Sequence, residues 1–223
     1  MASGPVRPLR TEALASLVAH GRRMVRDGLA TGAAGNLSVR VDDGIAITPS
    51  GVPYDALEVG DICVLDRDGE KVAGAGSPSS EAPMHLRIYA ATDAVAIVHT
   101  HSPLAVAVSA VAEELPAVHY SILQLGASVR VARYATFGTD DLARSVLEAL
   151  EGRRGALIQN HGGVTYGRSL AEAYDRAQLL EWLATVFWHA SLLGTPRVLS
   201  AEELAEVGSE ALRRQYPGLC PEG

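Results

Sequence analysis

The sequence predicts a mixed α/β (α+β) fold, a single domain in which helices cover a mostly antiparallel sheet. Three observations carry this. Short β-branched stretches follow one another across tight turns, as at Asp42-Asp43-Gly44 and Asp68-Gly69, and strands joined that closely pair antiparallel. Helical periodicities are interleaved with these strands along the chain. No internal repeat or long linker divides the 223 residues, and at 48% hydrophobic content they can bury one full core. Pattern alone also admits a doubly wound parallel sheet.

Taken in order, residues 1–10 read as a flexible tail, 11–215 as the domain and 216–223 as a C-terminal tail. Thr11 caps a helix to about Ala30, with Leu14, Leu17, Val18, Met24, Val25 and Leu29 at helical spacing. Leu37–Val41 and Ile45–Thr48 form a hairpin. Asp61–Asp66 is a further strand, and 74–78 a flexible loop. Ser80 to about Ala91 reads as a helix capped by Ser79 or Ser80. Val95–Val98 is apolar and β-branched, as a buried strand requires. Pro103 opens the next helix. Strands are expected at Val118–Ile122, Val129–Tyr134, Ala156–Gln159 and Val164–Tyr166, with helices from Thr139 to Glu151, Leu170 to Leu193 and Ser200 to Gln215.

Composition excludes several functions. No apolar run approaches the ~20 residues of a membrane span, and Met1–Pro8 has no signal-peptide core. A cytoplasmic protein with no membrane partner is therefore expected. The net charge of −7 argues against a nucleic-acid surface. Cys63 and Cys220 make neither a disulfide framework nor a zinc pattern, and Cys63 reads as a small buried hydrophobe.

The chemistry concentrates between Ser79 and His101. Residues i and i+2 of a strand share a face, so His99 and His101 aim two imidazoles at one point. His161, in a strand-then-glycine context, offers a third nitrogen for one divalent metal, with a position left open for substrate. Spacing alone equally admits ordinary polar residues at a sheet edge. Ser79 and Ser80 at a helix start, with Asn36, Ser50 and Gly51 at turns, suit an anion, or serve only as caps and turns. On its own, Glu81 reads as a helix-start carboxylate. Lys71 is the only lysine and falls in an exposed turn, which disfavours Schiff-base chemistry. His85 reads as a packing or supporting residue; His20, His119 and His189 have no partner pattern.

Gly35-Asn36-Leu37-Ser38, Thr48-Pro49-Ser50-Gly51, Ser79-Ser80-Glu81, His99-Thr100-His101 and Asn160-His161-Gly162 occur in an order and at separations that resemble the class II aldolase/adducin family, in particular its sugar-phosphate aldolases. Pro116–Tyr120 and Tyr134–Thr139 are similar too, and the resemblance runs from about residue 11 to about 205. It implies a three-layer αβα sandwich and a homotetramer with active sites at subunit interfaces. It implies one Zn2+, or another divalent metal, per subunit on His99, His101 and His161, joined by Glu81 when substrate is absent. Glu81 would then act as acid/base. Gly35, Asn36, Ser50, Gly51, Ser79 and Ser80 would bind the phosphate of a small sugar substrate. Tyr120 from a neighbouring subunit and Phe137 would lie near the aldehyde. The implied reaction is reversible cleavage of a ketose 1-phosphate, such as L-fuculose 1-phosphate, into dihydroxyacetone phosphate and an aldehyde such as L-lactaldehyde.

Ala33 departs from the pattern, standing where the aldolases carry a phosphate-binding threonine. Tyr216 loosely matches a mobile tyrosine that closes the site. A pentulose-phosphate 4-epimerase would carry Asp at Glu81 and an Asp near His119-Tyr120-Ser121, and neither is present. Dehydratase and decarboxylase activities of the family stay open. A non-catalytic, adducin-like domain would lack the full metal set.

Overall fold

A computed structural model of the chain describes residues 10–216. The tails, apart from Arg10 and Tyr216, and with them Cys220, lie outside the described residues. The strands are β1 Asn36–Val41, β2 Gly44–Ile47, β3 Cys63–Leu65, β4 Lys71–Ala73, β5 Ala96–Thr100, β6 Glu114–Leu115, β7 Val129–Ala132, β8 Gly155–Ile158 and β9 Gly162–Gly167. The helices are α1 Arg10–Arg26, α2 Ala82–Ala91, α3 Pro103–Ser109, α4 Asp140–Leu150, α5 Leu170–Leu193 and α6 Ala201–Arg213.

The strands form one sheet in the order β4-β3-β2-β1-β5-β9-β8-β7-β6. Every adjacent pair is antiparallel except β7–β8. This is the mostly antiparallel sheet expected, and it excludes the doubly wound alternative. Strand alternation sends each side chain to one of two cores. Leu37, Val39 and Val41 of β1, with Ala96 and Val98 of β5, pack with α1 and α5. Ile97 of β5, with Ile45 and Ile47 of β2, packs with α2 and α4 on the opposite face. Helices on both faces complete the three αβα layers. A third cluster joins α3, α5 and α6 over β7 and β8.

The structure corrects several element boundaries. The expected strand at Val118–Ile122 is instead a 3-10 turn, Tyr120–Leu125. His119 Nδ1 accepts a hydrogen bond from the Ser121 amide, Ile122 and Leu125 point inward one such turn apart, and Gly126 closes it at φ 94°. The first helix stops at Arg26, where Gly28 takes the left-handed conformation at φ 75°. α2 starts at Ala82, not Ser80, with Glu81 as its N-cap residue. The strand expected at Asp61–Asp66 shortens to β3 after a 3-10 turn at Val59–Asp61, and β7 ends at Ala132. Strands β4 and β6, of 3 and 2 residues, escaped prediction because such lengths show no periodicity. Among the described residues no helix is long and apolar enough to cross a membrane.

Candidate metal centre and active-site cleft

The site is built where three neighbouring strands end. His99 on β5 lies directly opposite Asn36 on β1 and Val164 on β9. Opposed residues of an antiparallel pair share a face, so Asn36 and His99 sit side by side on the face that carries α2. Glu81, at the start of α2, meets them there. Its Oε2 accepts a 3.0 Å hydrogen bond from Asn36 Nδ2 and lies 3.0 Å from His99 Nε2. His161, in the turn between β8 and β9, brings its Nε2 to 3.4 Å from Glu81 Oε1. His101, one residue past β5, places its Nε2 3.0 Å from that of His99. The ligating atoms of all four residues lie within 4.8 Å of one another, and the three rings stand nearly perpendicular, with centroids 4.7–4.9 Å apart.

Close backbone approach makes this convergence possible. A Cβ on Gly162 would fall 2.0 Å from the Thr100 carbonyl oxygen, and one on Gly35 would fall 2.6 Å from that of His99. Glycine is therefore required at both positions. His99 is further oriented by its own ring: Nδ1 donates to the Gly163 carbonyl at 2.9 Å, which leaves a lone pair on Nε2 facing the site.

The electrostatics favour a cation. Glu81 is only 5% exposed. Burial pushes its carboxyl up, but His99, His161 and the Asn36 hydrogen bond outweigh burial and hold it well below the usual carboxylate range. Burial, then His99 and His161, depress His101 to about 3; burial and His99 depress His161 to about 4. Burial lowers His99 too, but the Glu81 charge more than reverses this and raises it. Two imidazole nitrogens 3.0 Å apart need either a proton or a metal cation between them. Glu81 Oε1 and Asn36 Oδ1 are also buried without a hydrogen-bond donor. Three imidazole nitrogens and a carboxylate thus fit a divalent cation, with donors of the type zinc prefers.

A cleft of about 420 Å³ opens over this group. Gly35, Asn36, Ser50, Gly51, Ser79, Ser80, Glu81, His101, His161 and Phe137 all line it; His99 is fully buried behind them. The Ser50 amide donates to the Ser77 carbonyl at 2.8 Å, and Pro49 bridges Pro78, so the two serine-bearing loops are tied together. The helix start contributes less to anion binding than its sequence suggests. The Glu81 amide is taken by Ser79 Oγ, that of Ala82 by the Ser79 carbonyl, and Pro83 has none. Hydroxyls and turn amides are the donors left for an anion. Ala33 lines this end, while Tyr134 and Asn160, to which sequence reasoning gave no role, line the rim. Asn160 takes φ 56°, unusual for a non-glycine residue.

Tyr120 is not in this cleft. It is 44% exposed, stacks on His119 with centroids 4.3 Å apart, and shares a separate surface cavity with Glu206, Glu210 and Tyr216. His85 is fully buried one helical turn beyond Glu81. Its Nδ1 lies 2.7 Å from Ser38 Oγ, which lies 2.8 Å from the Tyr89 hydroxyl, so His85 supports the α2–β1 contact.

Residues 15–188 match the Class II Aldolase and Adducin N-terminal domain. The chain belongs to the class II aldolase and adducin family. It is 37% identical over 205 residues to 5-deoxy-D-ribulose 1-phosphate aldolase of Bacillus thuringiensis serovar kurstaki, covering 91% of this chain and 94% of that protein. It is 41% identical over 187 residues to L-fuculose phosphate aldolase of Escherichia coli strain K12, covering 82% and 86%. A solved L-fuculose 1-phosphate aldolase superposes with a TM-score of 0.86 at 37% identity, covering 92% of this chain and 97% of that one. The chain is thus an aldolase-family enzyme with a Glu/His group suited to a divalent metal.

The site makes metal binding testable. The purified protein is expected to bind one divalent ion per chain, and His101→Ala to lose it; retention of full affinity by that variant defeats the assignment. Binding requires neutral His99, whose proton affinity is raised, whereas His101 at about 3 and His161 at about 4 are neutral above pH 5. Affinity should therefore rise with pH until His99 is deprotonated, with up to about one proton released per ion. Calorimetry in buffers of different ionisation enthalpy measures that proton.

Proposed function

We propose that this protein is a divalent-metal-dependent, most simply zinc-dependent, aldolase. It cleaves a deoxyketose 1-phosphate, such as L-fuculose 1-phosphate, into dihydroxyacetone phosphate and a short aldehyde such as L-lactaldehyde. The observation that carries this reading is the ionised, buried Glu81 held against His99 beneath a cleft that contains no lysine. Lys71 lies away on β4, bonded to the Gly76 carbonyl, so a Schiff base has no amine to form on. A divalent cation on His99, His101 and His161 would supply the positive charge that stabilises the electron pair of the broken C–C bond.

The chain's own residues do the rest. Ser50, Ser79, Ser80 and Asn36, with the turns at Gly35 and Gly51, hold the phosphate by neutral donors. Glu81 moves the proton at carbon: Oε2 stays held by Asn36, while Oε1, which accepts no hydrogen bond, takes the α-proton of dihydroxyacetone phosphate in synthesis and, in cleavage, delivers to the carbon left behind a proton it has first taken up from solvent, matching the one the substrate hydroxyl loses. The substrate hydroxyl that becomes the aldehyde loses its own proton in the same cleavage. Tyr120 of a neighbouring subunit is suited to exchange it, since Tyr120 is exposed and outside its own chain's cleft. The exposed rings of Tyr134 and Phe137 give the aldehyde end an apolar wall suited to the methyl terminus of a deoxy sugar. Named relatives act on both six-carbon and five-carbon deoxyketose phosphates, and the two share the dihydroxyacetone phosphate half.

Three outcomes are expected. Glu81→Gln should stay folded and metal-bound while kcat falls roughly 10²–10⁴-fold. It should also lose exchange of the dihydroxyacetone phosphate α-proton with solvent, followed by NMR in deuterium oxide; wild-type exchange would mean another base acts. Oligomers mixed from Tyr120→Phe and Glu81→Gln chains should regain part of the activity, and proven mixing without recovery would assign each site to one chain. Ala33→Thr should lower KM for a ketose 1-phosphate by roughly tenfold, the value of one charge-assisted hydrogen bond. A neutral or harmful effect would show that this end of the cleft is shaped for another group. A release assay for dihydroxyacetone phosphate across ketose 1-phosphates identifies the aldehyde half.

A further inference from the structure

His99 differs from the other two histidines in how it is held. Its Nδ1 is fixed by the Gly163 carbonyl and its backbone by two strands. Among the described residues, the Nδ1 atoms of His101 and His161 have no hydrogen-bond partner, and neither residue lies within a strand. Their direction is therefore set by the backbone, and one short element governs both. α3 begins two residues after His101. At its other end Ser109 Oγ accepts from the Asn160 amide at 3.2 Å, beside His161.

The anchoring of α3 is unusual. Ser102 occupies the N-cap position with a residue type suited to capping, yet it makes no capping bond, and its hydroxyl is buried without a partner. Pro103 has no amide hydrogen to satisfy. The next two amides, Leu104 and Ala105, instead donate to the two oxygens of Glu181 on α5, each at 2.9 Å. A carboxylate from a 24-residue helix replaces the local cap and clamps α3 from outside. Further backbone ties on this side are the His101 amide to the Leu29 carbonyl, at 3.1 Å, and the Val106 amide to the Ser102 carbonyl, at 3.0 Å.

We propose that Glu181 is a positioning residue for the metal centre: through α3 it sets the direction of His101 and, through Ser109, that of His161. This rests on the metal reading above and adds a residue about which motif spacing said nothing. Both carboxylate oxygens are engaged by amides that no other described group satisfies. Removing them frees the start of α3, and with it the ligand two residues upstream.

The test reads metal affinity, independently of turnover. Metal-stripped protein is titrated with Co2+ against a competing chelator, and the visible spectrum of the bound ion is recorded. Glu181→Ala should fold, as judged by circular dichroism, and bind Co2+ about 10–100-fold more weakly with an altered spectrum, the size expected when support behind a ligand is lost. Glu181→Gln, with one acceptor left, should fall between. Ser169→Ala removes the cap at the other end of α5, where Ser169 Oγ accepts from the Glu172 amide at 3.1 Å. It should lower Tm yet leave Co2+ affinity within about twofold, separating positioning from general destabilisation. A folded Glu181→Ala with wild-type affinity and spectrum overturns the proposal; if Glu181→Ala does not fold, Glu181→Gln is judged on the same criterion. Wild-type protein that binds no Co2+ would defeat the metal reading itself, whereas equal binding by wild type and variant defeats only the role of Glu181.

Discussion

The constraint on which the rest of the structure depends is an ionised carboxylate buried at the middle of the sheet. An unpaired carboxylate taken out of water costs several kcal/mol or more, and Glu81 is 5% exposed. Its partners come from three places at once: the Asn36 amide on β1 donates to Oε2, and the His99 ring on β5 and the His161 ring after β8 stand 3.0 and 3.4 Å from its oxygens, where a cation they hold would balance the charge. Those groups meet only if β1, β5 and β9 are neighbours in that order, as they are. They meet only if Gly35 and Gly162 leave room for the backbone of β5 and its extension. The order of the central strands, the two glycines and the entry of α2 are thus the geometric conditions for housing that charge.

How much of this the sequence disclosed depends on the range of each interaction. Local rules performed well. The helix expected to start at Thr139 or Asp140 is capped by Thr139, and the longest helix runs from Leu170 to Leu193 as expected. His99 and His101 face one point because a strand has period two, which is legible in three residues. His161 is offered as their partner by its strand-then-glycine context and singled out by resemblance, because no local spacing links positions 60 residues apart. Errors arose where a local hydrogen bond overrode propensity. Val118–Ile122 is β-branched enough to read as a strand, but the His119 ring captures the Ser121 amide and winds the chain. Glu81 looked like a first-turn helix residue because its preceding serines are good caps. Pro83 and the Ser79 contacts move the helix start past it, which aims its carboxylate into the cleft. Glu181 was invisible because a cap supplied from another helix leaves no mark on the sequence it caps.

On the proposed reading, an acidic chain has to accommodate a phosphorylated sugar. With a net charge of −7 the protein offers no attractive field to an anion, and among the described residues no arginine or lysine lines the cleft. Affinity has to come from short-range donors on loops whose positions are fixed, and the Ser50–Ser77 and Pro49–Pro78 contacts fix them. On the same reading, a lysine or arginine near Glu81 would compete with a metal for its charge, and the described cleft has neither. The positive charge in the cleft would then come from a cation held by the histidine group.

The two oxygens of Glu81 are not equivalent, and on the reading proposed here that difference would allow one carboxylate to serve two roles. Oε2 is pinned by Asn36 and faces His99; Oε1 is buried and accepts no hydrogen bond. A carboxylate held at both oxygens would be a good ligand and a poor base, because each proton transfer would break a bond already made. One held at neither would lose its aim. Fixing one oxygen sets the direction of the carboxylate, and leaving the other without a donor keeps a basic lone pair available to the substrate's carbon. On the reading proposed here, Asn36 is therefore more than a phosphate neighbour: it decides which oxygen of Glu81 is free to react.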